Sequence, residues 1–264
     1  MIPKVIHYCW FGGNPKNDVI NKCIESWKKY CPDYEIKEWN EKNYDITKHP
    51  FMKKAYEAKK WAFVSDYARV DILYQYGGVY LDTDVELVAS LDSYLKYNFY
   101  AGFESVSFVS FGLGFGSVEG HPVLKDILKY YDNLEFPDNE FAISMVSCPR
   151  IQTEVLVKHG MVCNNQTQVF EDCHIFSTEY FSPMSFKTGQ TNITENTVSI
   201  HHYDMSWNSE SFKKSKDREW KLVRMLGPKW GKRAASLINF PGKLIARAKE
   251  GTLVDYIRFL AKGK

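Results

Sequence analysis

The sequence predicts an α/β fold, a mainly parallel sheet flanked by helices on both faces, followed by a basic helical tail. Three observations predict it. Short apolar runs of strand length alternate with longer segments of helical period. Glycine pairs, Gly12-Gly13 and Gly77-Gly78, punctuate them. Charge is divided along the chain: residues 213–264 hold 15 Lys/Arg against 4 Asp/Glu, whereas the remaining residues hold 19 against 28.

Taken in order, Lys4 to Trp10 reads as the first strand, ended by the glycine pair. Val19, Ile20, Cys23, Ile24 and Trp27 recur on one helical face. Tyr34 to Trp39 is a second strand, and helices follow at about 52–59 and 62–75. Gly77-Gly78 stops the second of these and turns the chain into a short strand at 79–82. Further strands fill 98–117. Helices are expected over Pro122 to Leu134 and about 150–159, and short strands near 173–176 and 197–202. The regular alternation argues for parallel crossovers.

The strand at 79–82 carries the chemistry. Val79-Tyr80-Leu81-Asp82-Thr83-Asp84 sets two carboxylates, one residue apart, where an apolar strand runs out. In open α/β sheets ligands bind outside the carboxyl ends of strands. Two hard oxygen donors there suit Mg²⁺ or Mn²⁺, with substrate phosphates and waters completing the shell. A solvated turn can also carry Asp-x-Asp, so its neighbours decide. In the preceding helix, Asp66 and Arg69 are three apart and share a face. That helix is unusually apolar for one displaying a solvated pair, so the pair is expected to face a cleft. Strand alternation puts Tyr80 on the same side as Asp82. Trp10 ends the first strand at the crevice edge, where its ring can stack on a nucleobase.

Ser65-Asp66-x-x-Arg69 followed by Gly77-Gly78-Val79-Tyr80-Leu81-Asp82-Thr83-Asp84 resembles the signature of glycosyltransferase family 32, which includes bacterial capsular polysaccharide transferases and yeast α-1,6-mannosyltransferases. The pattern is similar to that in the glucosyltransferase domains of large clostridial toxins. Two further blocks agree in order: Ile2 to Gly13 at the start, and Thr197-Val198-Ser199-Ile200-His201-His202-Tyr203-Asp204-Met205-Ser206-Trp207 near the end. The resemblance spans about residues 1–210. It implies the GT-A nucleotide-sugar fold and retaining hexosyl transfer from a nucleotide diphosphate sugar, with Mn²⁺ or Mg²⁺. It implies that Trp10 stacks on uracil, and that Asp66 and Arg69 contact ribose, sugar hydroxyls and phosphate. It further implies that Asp84 binds the metal directly, that Asp82 contributes through ribose or water, and that Ser206 and Trp207 close over the leaving diphosphate. A third metal ligand is expected from His201 or His202. Adjacent strand residues face opposite ways, so only one can reach the ion; related retaining transferases favour His202, which an aromatic residue follows.

Residues 1–210 therefore read as one catalytic domain and 211–264 as a basic amphipathic extension. No early run has the form of a signal peptide, no stretch reaches membrane-spanning length, and the six cysteines contain no Cys-x-x-Cys pair. A cytoplasmic enzyme is expected, with a peripheral place on the inner face of the cell membrane, because a basic tail carrying Trp230, Leu237, Ile238, Phe240, Tyr256 and Phe259 suits an anionic membrane surface. Pro241-Gly242 is expected to break that tail into helical pieces. Nucleic acid is not an expected partner, since no nucleic-acid module accompanies the charge. A glycan or lipid-linked acceptor is. Two other classes compete: a metal-dependent glycoside hydrolase, whose two carboxylates must flank a bond about 5–9.5 Å apart, and a non-catalytic nucleotide-sugar or membrane-binding module. Two carboxylates on one strand end suit one ion better than two faces of a sugar.

Overall fold

A computed structural model of the protein describes residues 1–137, 147–205 and 210–249, with side chains as far as residue 242. The chain divides into two compact units, Met1–Ser185 with Thr191–Trp207, and Phe186–Gln190 with Asn208–Lys264.

The first unit is built on strands β1 (Val5–Cys9), β2 (Glu35–Trp39), β3 (Gly78–Tyr80), β4 (Val85–Leu87), β5 (Phe99–Ser105), β6 (Phe108–Ser110), β7 (Phe115–Ser117), β8 (Gln168–Phe170), β9 (Cys173–Phe176) and β10 (Ser199–His201). Its helices are α1 (Asp18–Tyr30), α2 (Pro50–Glu57), α3 (Trp61–Tyr76), α4 (Pro122–Asp132), α5 (Cys148–Lys158) and the single turn α6 (Thr178–Phe181). The main sheet runs β2-β1-β3-β7-β5-β9-β8, with β6 pairing β5; β4 and β10 form a separate antiparallel pair. β2, β1 and β3 are mutually parallel, as are β5 and β9, while β7 runs antiparallel between β3 and β5. The expected α/β class is present, with an antiparallel strand set into its middle. Strand order reverses direction across β1 and β3, the place where such sheets bind ligands.

Strand alternation sorts the core onto two faces. Cys9, Tyr80, Phe99, Ala101, Phe103, Cys173 and Ile175 pack with α2, α3, α4 and α5 on one side. Ile6, Tyr8, Val79, Leu81, Tyr100 and Phe176 pack with Trp27 of α1 and Phe181 of α6 on the other. α3 has buried residues all round, including Asp66, Arg69 and Asp71, which is why it shows almost no amphipathic bias in sequence. α2 and α4 begin alike: His49 and His121 each accept the backbone N–H two residues on, with a proline at the first helical position.

The second unit contains α7 (Glu210–Lys249), interrupted at Gly227, whose φ of 77° and ψ of 166° are not helical. The predicted break at Pro241-Gly242 is not there; helix continues through it. Gly227-Pro228 supplies the stop instead, because glycine takes the positive φ past one helix end and proline pre-sets the first turn of the next. The two halves fold back on each other. A side chain at Gly231 would overlap the backbone of Val223, and Asn239 bonds both Arg218 and the carbonyl of Ser215. Trp220 donates its indole N–H to the carbonyl of Phe186 at 2.8 Å, and Arg224 donates to the carbonyl of Gly189 at 3.1 Å. Among the described residues no helix is long and apolar enough to cross a membrane.

Candidate active site

Asp82 leaves the carboxyl end of β3 on the α3 side, as Tyr80 does. The Tyr80 hydroxyl donates to Asp82 Oδ1 at 3.0 Å. Arg69 meets the same oxygen at 3.1 Å through Nη2, and the same nitrogen meets Asp66 Oδ1 at 3.0 Å. Its Nε donates to the Ser65 carbonyl at 3.2 Å, and Nη1 faces Cys148 Sγ at 3.9 Å. Arg69 is buried and its fork is spent on two carboxylates, so it binds and orients them. Tyr80 is 1% exposed, with its ring under the Arg69 guanidinium at 5.1 Å. Buried in this way, Tyr80 touches the site through its hydrogen bond to Asp82.

The backbone opposite is shaped for the carboxylate. Asp82 N–H donates to the Gly112 carbonyl at 3.1 Å, and a Cβ at Gly112 would overlap Asp82 Oδ2. The absence of a side chain at Gly112 permits this close approach.

Asp84 is held from the far end of the chain. β10 pairs antiparallel with β4, placing His201 opposite Val85. His201 Nε2 then lies 3.0 Å from Asp84 Oδ1, Asp204 N–H donates to Asp84 Oδ2 at 2.8 Å, and His202 N–H donates to the Asp84 carbonyl at 2.9 Å. The His202 ring turns away to Glu86 at 2.7 Å. The β4–β10 register sets the His201 ring, and not the His202 ring, beside Asp84. Trp27 fixes β4 from its other side, donating to the Val85 carbonyl at 2.7 Å. Tyr203 and Met205 have φ of 52° and 50°, a left-handed backbone that non-glycine residues adopt at a cost.

The electrostatics separate the two aspartates. Burial raises Asp82, with Asp84 adding to the rise and Arg69 opposing it. Burial also works to raise Asp84, but the His201 charge and hydrogen bond and the Asp204 N–H outweigh it and hold Asp84 at about 2. Burial lifts Asp66 to about 6 against the pull of Arg69. Burial would lower His201, yet Asp84, Asp82 and Glu104 overcome it and bring it up to about 8. The site thus calls for positive charge beyond Arg69. His201 Nδ1 is buried without a hydrogen-bond partner. These donors fit a hard divalent cation that takes much of its shell from substrate. They do not gather into a closed three-ligand cage; among the described residues only His121, Asp172 and Cys173 bring three ligand atoms within 4.8 Å.

Trp10 is half-buried at the end of β1, its indole N–H donating to the Asn14 carbonyl at 2.7 Å and Lys16 lying 5.4 Å from its ring. Trp10 and Asp82 stand at the ends of adjacent parallel strands. Ser206 and Trp207 lie outside the described residues. Sequence reasoning missed three participants. Glu104, at the end of β5, bonds Tyr203 and acts on His201; its signal is a lone carboxylate ending an apolar strand. Cys148 shares a hydrogen bond with Asp66, and Gly112 frames Asp82; neither stands out in the sequence.

Residues 17–100 match the family described as "Glycosyltransferase sugar-binding region containing DXD motif". That span contains Asp66, Arg69, Asp82 and Asp84. A curated relative, "Inositol phosphoceramide mannosyltransferase 3" of Schizosaccharomyces pombe, is 31% identical over 147 residues, which is 52% of this chain and 40% of the relative. The chain thus spans less than half the length of that relative. Among solved structures, "PaToxG Glycosyltransferase" is similar at 15% identity and a TM-score of 0.46, covering 60% of this chain and 68% of that one. A glycosyltransferase involved in glycosylation of the major capsid of PBCV-1 is similar at 10% identity and a TM-score of 0.43, covering 83% and 100%. Glu104, Cys148 and His201 lie outside the matched span.

Proposed function

We propose that the protein transfers a hexose, with retention, from a nucleotide diphosphate sugar to a hydroxyl of a glycan or lipid-linked acceptor, in the synthesis of a surface or capsular polysaccharide. A uridine donor is favoured, with Trp10 at the end of β1 assigned to stack on the base. The observation that carries the reading is the joining of Asp66, Arg69 and Asp82 to Asp84 and His201 at one strand end, inside a matched sugar-binding region. Asp82 and Asp84 would hold Mn²⁺ or Mg²⁺, with His201 in the place expected for His202. When bound, the ion supplies Lewis-acid stabilisation of the departing diphosphate. Arg69 opposes the burial that raises Asp82 and Asp66, and fixes both carboxylates. Glu104 and Asp84 hold the His201 ring at the metal side. Ser206 and Trp207 are assigned to closure over the diphosphate. Residues 1–210 would form the catalytic domain, and 211–264 would keep it at an anionic membrane surface near its acceptor.

The mannosyltransferase relative is named for mannose and inositol phosphoceramide, so mannosyl donors and polyol-bearing lipids belong in the screen. The test is donor hydrolysis and transfer across a panel of nucleotide sugars with Mn²⁺, Mg²⁺ or excess EDTA. Asp84→Ala is expected to fold and to lose turnover by at least about a hundredfold. Full activity of that variant, or full activity in EDTA, sinks the metal-dependent reading.

A further inference from the structure

In the second unit the two halves of α7 form a helical hairpin whose bend is apolar and exposed. Gly231, Ala235 and Asn239, spaced by four, are buried against the first half, where Val223 and Trp220 are buried in turn. The opposite face of the second half is therefore turned outward. It carries Trp230 (61% exposed) and Leu237 (76% exposed), with Phe240 beside them. Met225, 69% exposed, and Leu226 stand at the bend. A monomeric soluble surface seldom gathers so many large apolar side chains in one place.

Charge says what covers this surface. Residues 220–242 contain Lys221, Arg224, Lys229, Lys232 and Arg233, and no Asp or Glu. The Arg233 guanidinium lies 5.2 Å from the Trp230 ring, and Lys229 Nζ lies 6.0 Å from it. An indole flanked by cations, with apolar side chains beside it, matches the headgroup boundary of an anionic bilayer: the ring and aliphatic groups enter the acyl edge, while the long basic side chains reach back to lipid phosphates. An acidic protein surface would satisfy the cations but leave Met225, Leu226 and Leu237 in contact with water-facing groups.

We propose that the bend of this hairpin is a wedge for anionic membranes, in which Met225, Leu226 and Trp230 insert and Lys229, Lys232 and Arg233 bind headgroups. It rests on, and sharpens, the assignment of residues 211–264 to a membrane surface. The experiment is co-sedimentation of the full chain with vesicles of phosphatidylcholine alone or with phosphatidylglycerol, at low and moderate salt. Wild type is expected on the anionic vesicles only, binding about tenfold more weakly at about 0.5 M than at 0.1 M salt. A tip variant, Met225→Ser/Leu226→Ser/Trp230→Ser, is expected to melt like wild type, since these side chains are exposed, and to bind about a hundredfold more weakly at both salts. Lys229→Glu/Lys232→Glu/Arg233→Glu is expected to lose anionic binding altogether. Brominated lipid should quench wild-type fluorescence more than that of Trp230→Phe. Donor hydrolysis should be unchanged in every variant. If wild type sediments and the tip variant sediments equally, the wedge is overturned while the membrane assignment stands. If wild type binds no vesicle, both fall. Equal binding to neutral vesicles, or a self-association of wild type that the tip variant abolishes, also overturns it, the latter by making a second copy the occupant.

Discussion

Arg69 is held by four partners, Ser65, Cys148, Asp66 and Asp82. Removing it leaves two buried carboxylates without a counter-charge, a defect worth about 3–5 kcal/mol. Arg69→Ala is therefore expected to lower stability by that amount in urea melts and to lose turnover with it. Were the side chain only a phosphate contact, the variant would melt like wild type and show a raised KM. The adjacent histidines separate more sharply. His201 is buried on Asp84, whereas His202 pairs with Glu86 in a more exposed position. His201→Ala should cost at least about tenfold in turnover, because Asp84 loses the partner that orients it. His202→Ala should stay within about 0.5 kcal/mol of wild-type stability and keep its rate. Steady-state rates of the two alanine variants, run side by side, decide which histidine serves the site. A slower His202 variant would restore the sequence-based choice.

At the scale of elements, local pattern served where a segment's partners are near in sequence. α3, the turn at Gly77, the end of β3 and the alternation that sets Tyr80 beside Asp82 were all legible, since each depends on residues within one turn or strand. β4 was not, and neither was its pairing with β10, although a strand at 197–202 was expected. Val85–Leu87 is three residues long and follows the acidic pair like a loop, and its partner lies more than a hundred residues away. Alternation could say that only one histidine of the pair faces inward, but the register that chooses it belongs to the β4–β10 pairing. Gly112 was invisible for a similar reason: what requires glycine there is Asp82, thirty residues earlier. Gly112→Ala makes this testable. The added methyl must displace the Asp82 carboxylate or the backbone around it, at a cost of about 1–3 kcal/mol. Turnover is expected to drop by at least about tenfold. Gly242→Ala, where nothing lies within 4 Å, should change neither rate nor melting temperature. An unchanged rate in Gly112→Ala would mean that Asp82 need not sit where the structure puts it.

The first unit hangs on a sheet whose central strands are buried on both faces, and this imposes a pH signature outside the carboxylate cluster. His7, in the middle of β1, is 2% exposed; its Nδ1 accepts from the Trp39 indole at 3.0 Å, and its Nε2 is buried without a partner. Burial, helped by the Lys37 charge and opposed by the Gly77 backbone, lowers its pKa to about 4 from an ordinary 6.5. The folded chain thus refuses a proton that the unfolded chain accepts. Above pH 6.5 neither state is protonated there and the native state keeps its full stability. As pH falls from 6.5 towards 4 the unfolded state gains the proton first, so stability is lost across that window. Between pH 7 and pH 5 the loss amounts to about 2 kcal/mol. His201 acts with the opposite sign, because its raised pKa adds stability that is complete below 6.5 and lost as pH rises through about 8. A melt of wild type alone therefore mixes the two. His7→Asn separates them: the amide oxygen can still accept from Trp39, no group titrates at the position, and His201 is untouched. The variant is expected to be less stable at pH 7, from the space it leaves. Its disadvantage should shrink by about 2 kcal/mol on going to pH 5. Urea midpoints of both proteins at the two pH values measure this directly. Parallel curves, with a constant gap between the proteins, would show that His7 takes up its proton in the folded state as readily as in the unfolded one, and that β1 opens to water at pH 5.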